Sequence, residues 1–261
     1  MDVSVSLVAA ACAAAVMLAT WLVSLPARDA SLADLVWGLA FVAIAWGTYL
    51  AGPGGSAPLL CACLVTVWGV RLSAYLTRRN LGHGEDRRYK AMRAKAPQTF
   101  WLRSLAVVFL LQGAIAWAVS LPVQSLAAFP DGAVGAVSWI GVGVFTLGLG
   151  FEAIGDAQLA AFKRDPSTKG LVMDRGLWRY TRHPNYFGDA VVWWGLWLVA
   201  VGSGGALWTL VGPALMTFML VRVSGVAMLE SDIARRRPGY VDYVRRTSAF
   251  LPRPPRRVSD E

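Results

Sequence analysis

Charge, histidine and cysteine are scarce in this chain of 261 residues. Only 16% of the residues are charged, against about 25% in a soluble domain, while 56% are hydrophobic. So many apolar side chains overfill a single globular core, which excludes an ordinary soluble enzyme and a disordered chain alike. The three cysteines, Cys12, Cys61 and Cys63, lie in apolar runs, so a disulfide scaffold is excluded. Cys61-Ala62-Cys63 lacks the His or Cys neighbours that a structural site of about four ligands needs, and no metal is expected. There is no Walker sequence and no Ser/His/Asp elbow. Gly141, Gly143, Gly148 and Gly150 lack the dinucleotide spacing and fall inside an apolar segment, where close helix packing by small residues accounts for them.

What is present are long apolar runs and 12 Trp. A helix needs about 20 mainly apolar residues to cross the hydrocarbon core. Seven segments qualify, at about 3–25, 33–51, 58–76, 104–126, 134–162, 186–201 and 206–228. They are solidly apolar rather than alternating, so the predicted fold is all-α and not a barrel. No basic residue precedes the first run, which reads as a retained helix and not a signal peptide. Nearly all Lys and Arg gather in 78–103, 163–182 and 235–257, whereas the connections near 52–57, 127–133 and 202–205 have none. That pattern predicts seven spans with the N-terminus outside and the C-terminus in the cytosol. The net charge of +9 is thus a topology signal, and with no nucleic-acid motif no nucleic-acid partner is expected. A single domain covers 1–257, in which Pro252–Arg257 reads as a frayed end, followed by a tail at 258–261.

Ionisable and amide groups at membrane depth normally face a bundle interior and mark function. They include Asp34, Arg71, Gln112, Glu152, Asp156, Asn185, Asp189 and Arg222. The richest stretch runs from Asp174 to Asp189. Pro184 suits the first turn of a helix, which places Arg182 and His183 at an N-terminus that favours an anion. Arg175, Arg179 and Arg182 add charge suited to phosphates. Asn185 and Asp189, four apart, share a helical face, as do Glu152 and Asp156, with Lys163 returning to nearly the same side. A third set is Arg71, Tyr75, Arg78, Arg79 and Asn80. The fourth is Arg222 and Glu230, followed by Tyr240 and Tyr243. Four polar sets on the cytosolic half predict one deep pocket.

At these residues the chain resembles a known family. Residues 176–195 are similar to the C-terminal domain of the steroid 5α-reductase superfamily, in its bacterial membrane branch. Supporting signatures are Ser31-Leu-Ala-Asp-Leu-Val-Trp-Gly38, Trp68-Gly-Val-Arg-Leu72, Gly84-Glu-Asp-Arg-Arg-Tyr89 and Arg222-Val-Ser-Gly-Val-Ala-Met-Leu-Glu230. The resemblance implies a seven-helix bundle that holds NADPH and reduces a conjugated C=C bond of a hydrophobic, steroid-like or isoprenoid substrate. It carries over Asn185, Asp189, Asp156, Lys163 and, within one residue of register, Asn80 as cofactor contacts. Glu152 stands where the steroid enzymes have Asn. Arg71, Arg79, Arg179, Tyr180, Arg182, His183, Glu230, Tyr240 and Tyr243 complete the expected cofactor set. Asp34, with Tyr75 as helper, takes the carbonyl-polarising role; a helix N-cap is the other reading of Asp34. The motif Arg-His-Pro-x-Tyr is shared with isoprenylcysteine-type methyltransferases, so an S-adenosylmethionine-dependent lipid methyltransferase is the second reading. The other expected partners are membrane lipids.

Overall fold

The computed structural model describes residues 2–80, 82–129, 133–223 and 239–256. Among the described residues there is no strand beyond one isolated bridge between Thr181 and Ser248. Helix is what apolar runs must form in lipid, where no water satisfies backbone N–H and C=O groups. In chain order the main helices are α1 (Val3–Ala27), α2 (Leu32–Ala51), α3 (Ser56–Asn80), α4 (Arg87–Lys95) and α5 (Phe100–Val119). They are followed by α6 (Leu121–Ala127), α7 (Ala136–Arg164), α8 (Pro184–Gly202), α9 (Leu207–Val223) and α10 (Tyr240–Arg246). Five of them, α1, α2, α3, α5 and α7, are long and apolar enough to cross a membrane. The chain is a multi-pass integral membrane protein.

Two boundaries differ from the sequence expectation. The fourth apolar segment starts at Phe100, carries a π-helical stretch over Leu105–Leu110, and breaks at Ser120. Pro122 opens the short α6, where the N–H that a proline lacks would have no helical acceptor in any case. The C-terminal end differs too. Residues 251–256 are tied down rather than frayed: the Arg253 N–H donates to the Tyr180 carbonyl at 3.0 Å and the Arg256 N–H to that of Arg246 at 2.9 Å. The end of the expected seventh segment, 224–228, and Glu230 lie outside the described residues.

The chain divides into two compact units, Met1–Trp139 with Val199–Gly212, and Ile140–Leu198 with Pro213–Glu261. In the first, α2 packs against both α1 and α3. Gly38 and Gly69 let the α2 and α3 backbones touch; a Cβ on Gly69 would lie 2.5 Å from the Gly38 carbonyl. Met17, Ala33, Ala40, Phe100 and Phe109 form a core that also takes in Tyr89.

In the second unit α7 and α8 meet along a glycine seam. A Cβ on Gly148 would stand 2.6 Å from the Val192 nitrogen, one on Gly195 would stand 2.5 Å from that of Phe145, and one on Gly188 would strike the Glu152 backbone. Gly143 and Gly150, on other faces of α7, have open space around the same position. Small residues matter here because lipid gives apolar helices no solvent-driven reason to associate, so close backbone contact must supply it. Gly188→Ala is therefore expected to cost about 1–3 kcal/mol through overpacking, while Gly150→Ala is neutral. Thermal unfolding of the two variants in detergent checks this, and equal midpoints would show that the seam is not tight.

Candidate functional site

The residues singled out in the sequence fall into two clusters, one within each unit. In the first unit, Asp34 occupies the third position of α2, behind the cap residue Ser31, and caps no backbone N–H. Its carboxylate accepts instead from the Tyr89 hydroxyl at 2.7 Å and from Gln112 Nε2 at 3.1 Å, and it pairs with Arg88 Nη2 at 2.9 Å. The cap reading of Asp34 thus gives way to a long-range one. Burial, and after it the Asp34 carboxylate, push the Tyr89 hydroxyl well above its usual 10. That hydroxyl is a donor at every physiological pH. Gln112 Oε1 and Trp37 Nε1 are buried without a hydrogen-bond partner among the described residues. The Tyr75 ring lies between Arg71 and Arg79, whose guanidinium carbons are 5.5 and 5.7 Å from its centre. Asn80 ends α3 and accepts from Arg79 Nε.

Beside this cluster a second carboxylate fastens the loops. Glu85 accepts both arms of Arg93, at 2.7 and 3.0 Å, and the Ala30 N–H at 2.9 Å. Asp86 caps α4 through the Arg88 N–H, and its own N–H donates to Ser31 Oγ. The α1–α2 and α3–α4 connections are therefore bonded to one another. Burial alone raises the Glu85 carboxyl, but the Arg93 and Ala30 hydrogen bonds and the charges of Arg93 and Lys90 outweigh it and hold the group below 4.5.

In the second unit the glycine seam carries the polar stripe. Glu152 and Asp156 are 2% and 3% exposed. Asn185 Nδ2 donates to Asp156 Oδ1 at 3.1 Å across the α7–α8 contact, and Asp189, also buried, lies one turn further along α8. Helix α8 begins at Pro184, as expected. His183 stacks on Tyr186, with ring centres 5.5 Å apart. Lys163 is exposed near the end of α7.

The remaining expected residues surround the head of α8. Arg182 is buried and its Nη1 donates to the carbonyls of Val244 at 3.2 Å and Thr247 at 2.5 Å. Tyr243 is buried beside Tyr240 and donates to the Trp178 carbonyl, and burial raises its hydroxyl first, then the neighbouring Tyr240. Tyr180 is exposed and offers its carbonyl to Arg253. Arg179 lines a cleft of about 610 Å³ with Arg175, Arg246 and Arg256.

Sequence reasoning missed the parts played by Tyr89, Arg88, Glu85 and Arg93. Glu85, Arg88 and Tyr89 stood in the signature Gly84–Tyr89, but nothing local announced their partners; the further signal was an aromatic in a short basic helix, since Tyr89 is the single buried residue of α4.

Over residues 20–247 the chain matches the family described as protein of unknown function, DUF1295, and it belongs to that family. No curated protein and no solved structure matches it.

The Glu85 clasp predicts an acid sensitivity with a definite sign. A carboxyl lowered by folding stabilises the protein fully above its unfolded value, near 4.5, and that contribution drains away as pH falls through the lower folded value. Glu85→Gln should cost about 1–3 kcal/mol at neutral pH and lose less than wild type below 4.5. Unfolding midpoints measured across this pH range decide it; parallel profiles would show that Glu85 is not a stabilising anion.

Proposed function

We propose that this protein is a membrane-embedded reductase that uses NADPH to saturate a conjugated C=C bond in a hydrophobic, steroid-like or isoprenoid substrate. The observation that carries the reading is the set of buried Glu152, Asp156 and Asp189 with half-buried Asn185, on two helices pressed together at their glycines. Ribose hydroxyls and a carboxamide N–H are donors that need acceptors held in apolar surroundings, and this acceptor-rich set offers them. When bound, NADPH supplies a hydride for the β carbon of the substrate. On this reading Tyr75 and the Tyr89 hydroxyl are the donors to the substrate oxygen, and Asp34 is a positioning residue rather than the donor itself. Because Asp34 is paired with Arg88, it acts as an anion that orients the Tyr89 hydroxyl. The apolar helices keep water from the reacting carbon.

The same reading gives seven spans, with α8 and α9 as the sixth and seventh. It places the three basic connections on the cytosolic face of a bacterial-type inner membrane, with the N-terminus outside. The S-adenosylmethionine alternative leaves the α7 carboxylates without a task, and Glu230, on which it leans, lies outside the described residues.

The first test identifies the nucleotide that co-purifies in detergent, by absorbance and mass spectrometry. A nicotinamide nucleotide supports the reading; an S-adenosyl compound overturns it. Asn185→Ala and Asp189→Ala should each weaken NADPH binding by about 1–3 kcal/mol, the cost of leaving buried polar partners unpaired. Asp34→Asn should keep that affinity and slow single-turnover reduction of a model enone by about 100- to 10,000-fold, the range of general acid–base assistance. Wild-type rates in Asp34→Asn would remove it from the chemistry.

A further inference from the structure

The cleft beside the head of α8 concentrates positive charge that the buried carboxylate set does not use. It holds about 610 Å³, and four guanidinium groups, Arg175, Arg179, Arg246 and Arg256, line it with one carboxylate, Asp174. Asp174 is engaged by Arg246 Nη2 at 2.5 Å. Arg179 and Arg256 have no acidic partner among the described residues, and Arg175 lies over the Phe162 ring. Three guanidinium charges facing one space repel one another unless an anion lies among them.

The walls are fixed by main chain rather than by loose side chains. The Arg256 N–H is bonded to Arg246, the Arg253 N–H to Tyr180 and the Arg182 N–H to Ser248. Gly176, at a φ of 58°, packs so closely on Gln158 that a Cβ there would collide with the amide. The segments that carry the arginines are therefore pinned. Arginine presents a planar fork that matches phosphate oxygens two at a time. The volume lies in the range of a small-molecule site, larger than a lone inorganic anion needs.

We propose that this cleft is a phosphomonoester site, in which Arg175, Arg179 and Arg256 hold the dianionic phosphate of a larger ligand. On the reductase reading, on which this assignment of the ligand rests, that group is the extra ribose phosphate separating NADPH from NADH. A phosphatidate headgroup at the membrane surface presents the same chemistry.

The test uses the full chain in detergent and the double variant Arg179→Gln/Arg256→Gln. Both residues are exposed, so folding should survive, and inorganic phosphate binding by wild type gives a readout independent of the variant. Inorganic phosphate should raise the unfolding midpoint of wild type and not of the variant. NADPH should bind wild type about 10- to 100-fold tighter than NADH, the worth of one or two charge-assisted contacts, and the variant should lose that preference by weakening NADPH alone. Arginine-dependent binding of inorganic phosphate and of phosphatidate nanodiscs, with no affinity for either nucleotide, would keep the cleft, name a lipid as its source and sink the reductase reading. Equal binding of NADPH and NADH, with no effect of phosphate, would overturn the cleft assignment and leave that reading standing.

Discussion

The backbone contact between α7 and α8 is the constraint on which the second unit depends. Gly148, Gly188 and Gly195 remove the side chains that would hold the two helices a normal distance apart. Helix axes that close bring main-chain atoms into van der Waals range, which is the attraction available where lipid tails are as apolar as the helices themselves. The same closeness decides what the polar residues can do. Asn185 is short, and it spans to Asp156 across the interface because the backbones touch one turn away, at Gly188 and Glu152. A larger residue at Gly188 would part the helices and leave the amide and the carboxyl group facing hydrocarbon, where unpaired polar groups are costly.

Periodicity made the local half of this arrangement legible. Pro184 marked the start of α8, the spacing of Glu152 and Asp156 placed them on one face, and the small residues of α7 pointed to helix packing. It did not say which glycines pack. Gly143 and Gly150 share a helix with Gly148 yet face open space, since the choice depends on where the partner helix lies. Long-range pairs were hidden for the same reason. Asp34 and Tyr89 are 55 residues apart in the chain, and a hydrophobic pattern carries no information about such a meeting. The proline-rich end misled in the opposite direction. Its composition suggests fraying, but its N–H groups find carbonyls at Tyr180 and Arg246, acceptors that the local sequence cannot reveal.

Charge count is equally blind to role, as Arg179 and Arg182 show. Three residues apart in one basic stretch, they have opposite surroundings. Arg182 is buried, with Nη1 on the carbonyls of Val244 and Thr247 at the end of α10, where the helix dipole favours a cation. It holds the C-terminal segment in place. Arg179 is exposed and lines the cleft with the arginines of that segment. One arginine thus positions the chain from which Arg246 and Arg256 project, and the other shares the space that they enclose.

A similar division separates the two acids of the first unit. Glu85 is satisfied by its neighbours: two arms of Arg93 and the Ala30 N–H occupy its oxygens, and loop is bonded to loop as a result. The Asp34 cluster is not closed in this way. Gln112 spends its Nε2 on Asp34 and on Tyr89, at 3.1 and 3.2 Å, and its Oε1 is buried with no donor among the described residues. Turning the amide over does not help, because Oε1 would then face the Asp34 carboxylate and Nε2 would be the orphan. Trp37 Nε1, one turn along α2 from Asp34, is a second buried group without a partner among the described residues. Each such deficit costs about 1–3 kcal/mol, which a fold retains where something other than stability is served. The deficits fall beside Asp34 and not beside Glu85, so the acid left with unfilled hydrogen-bonding neighbours is the one suited to meet a ligand.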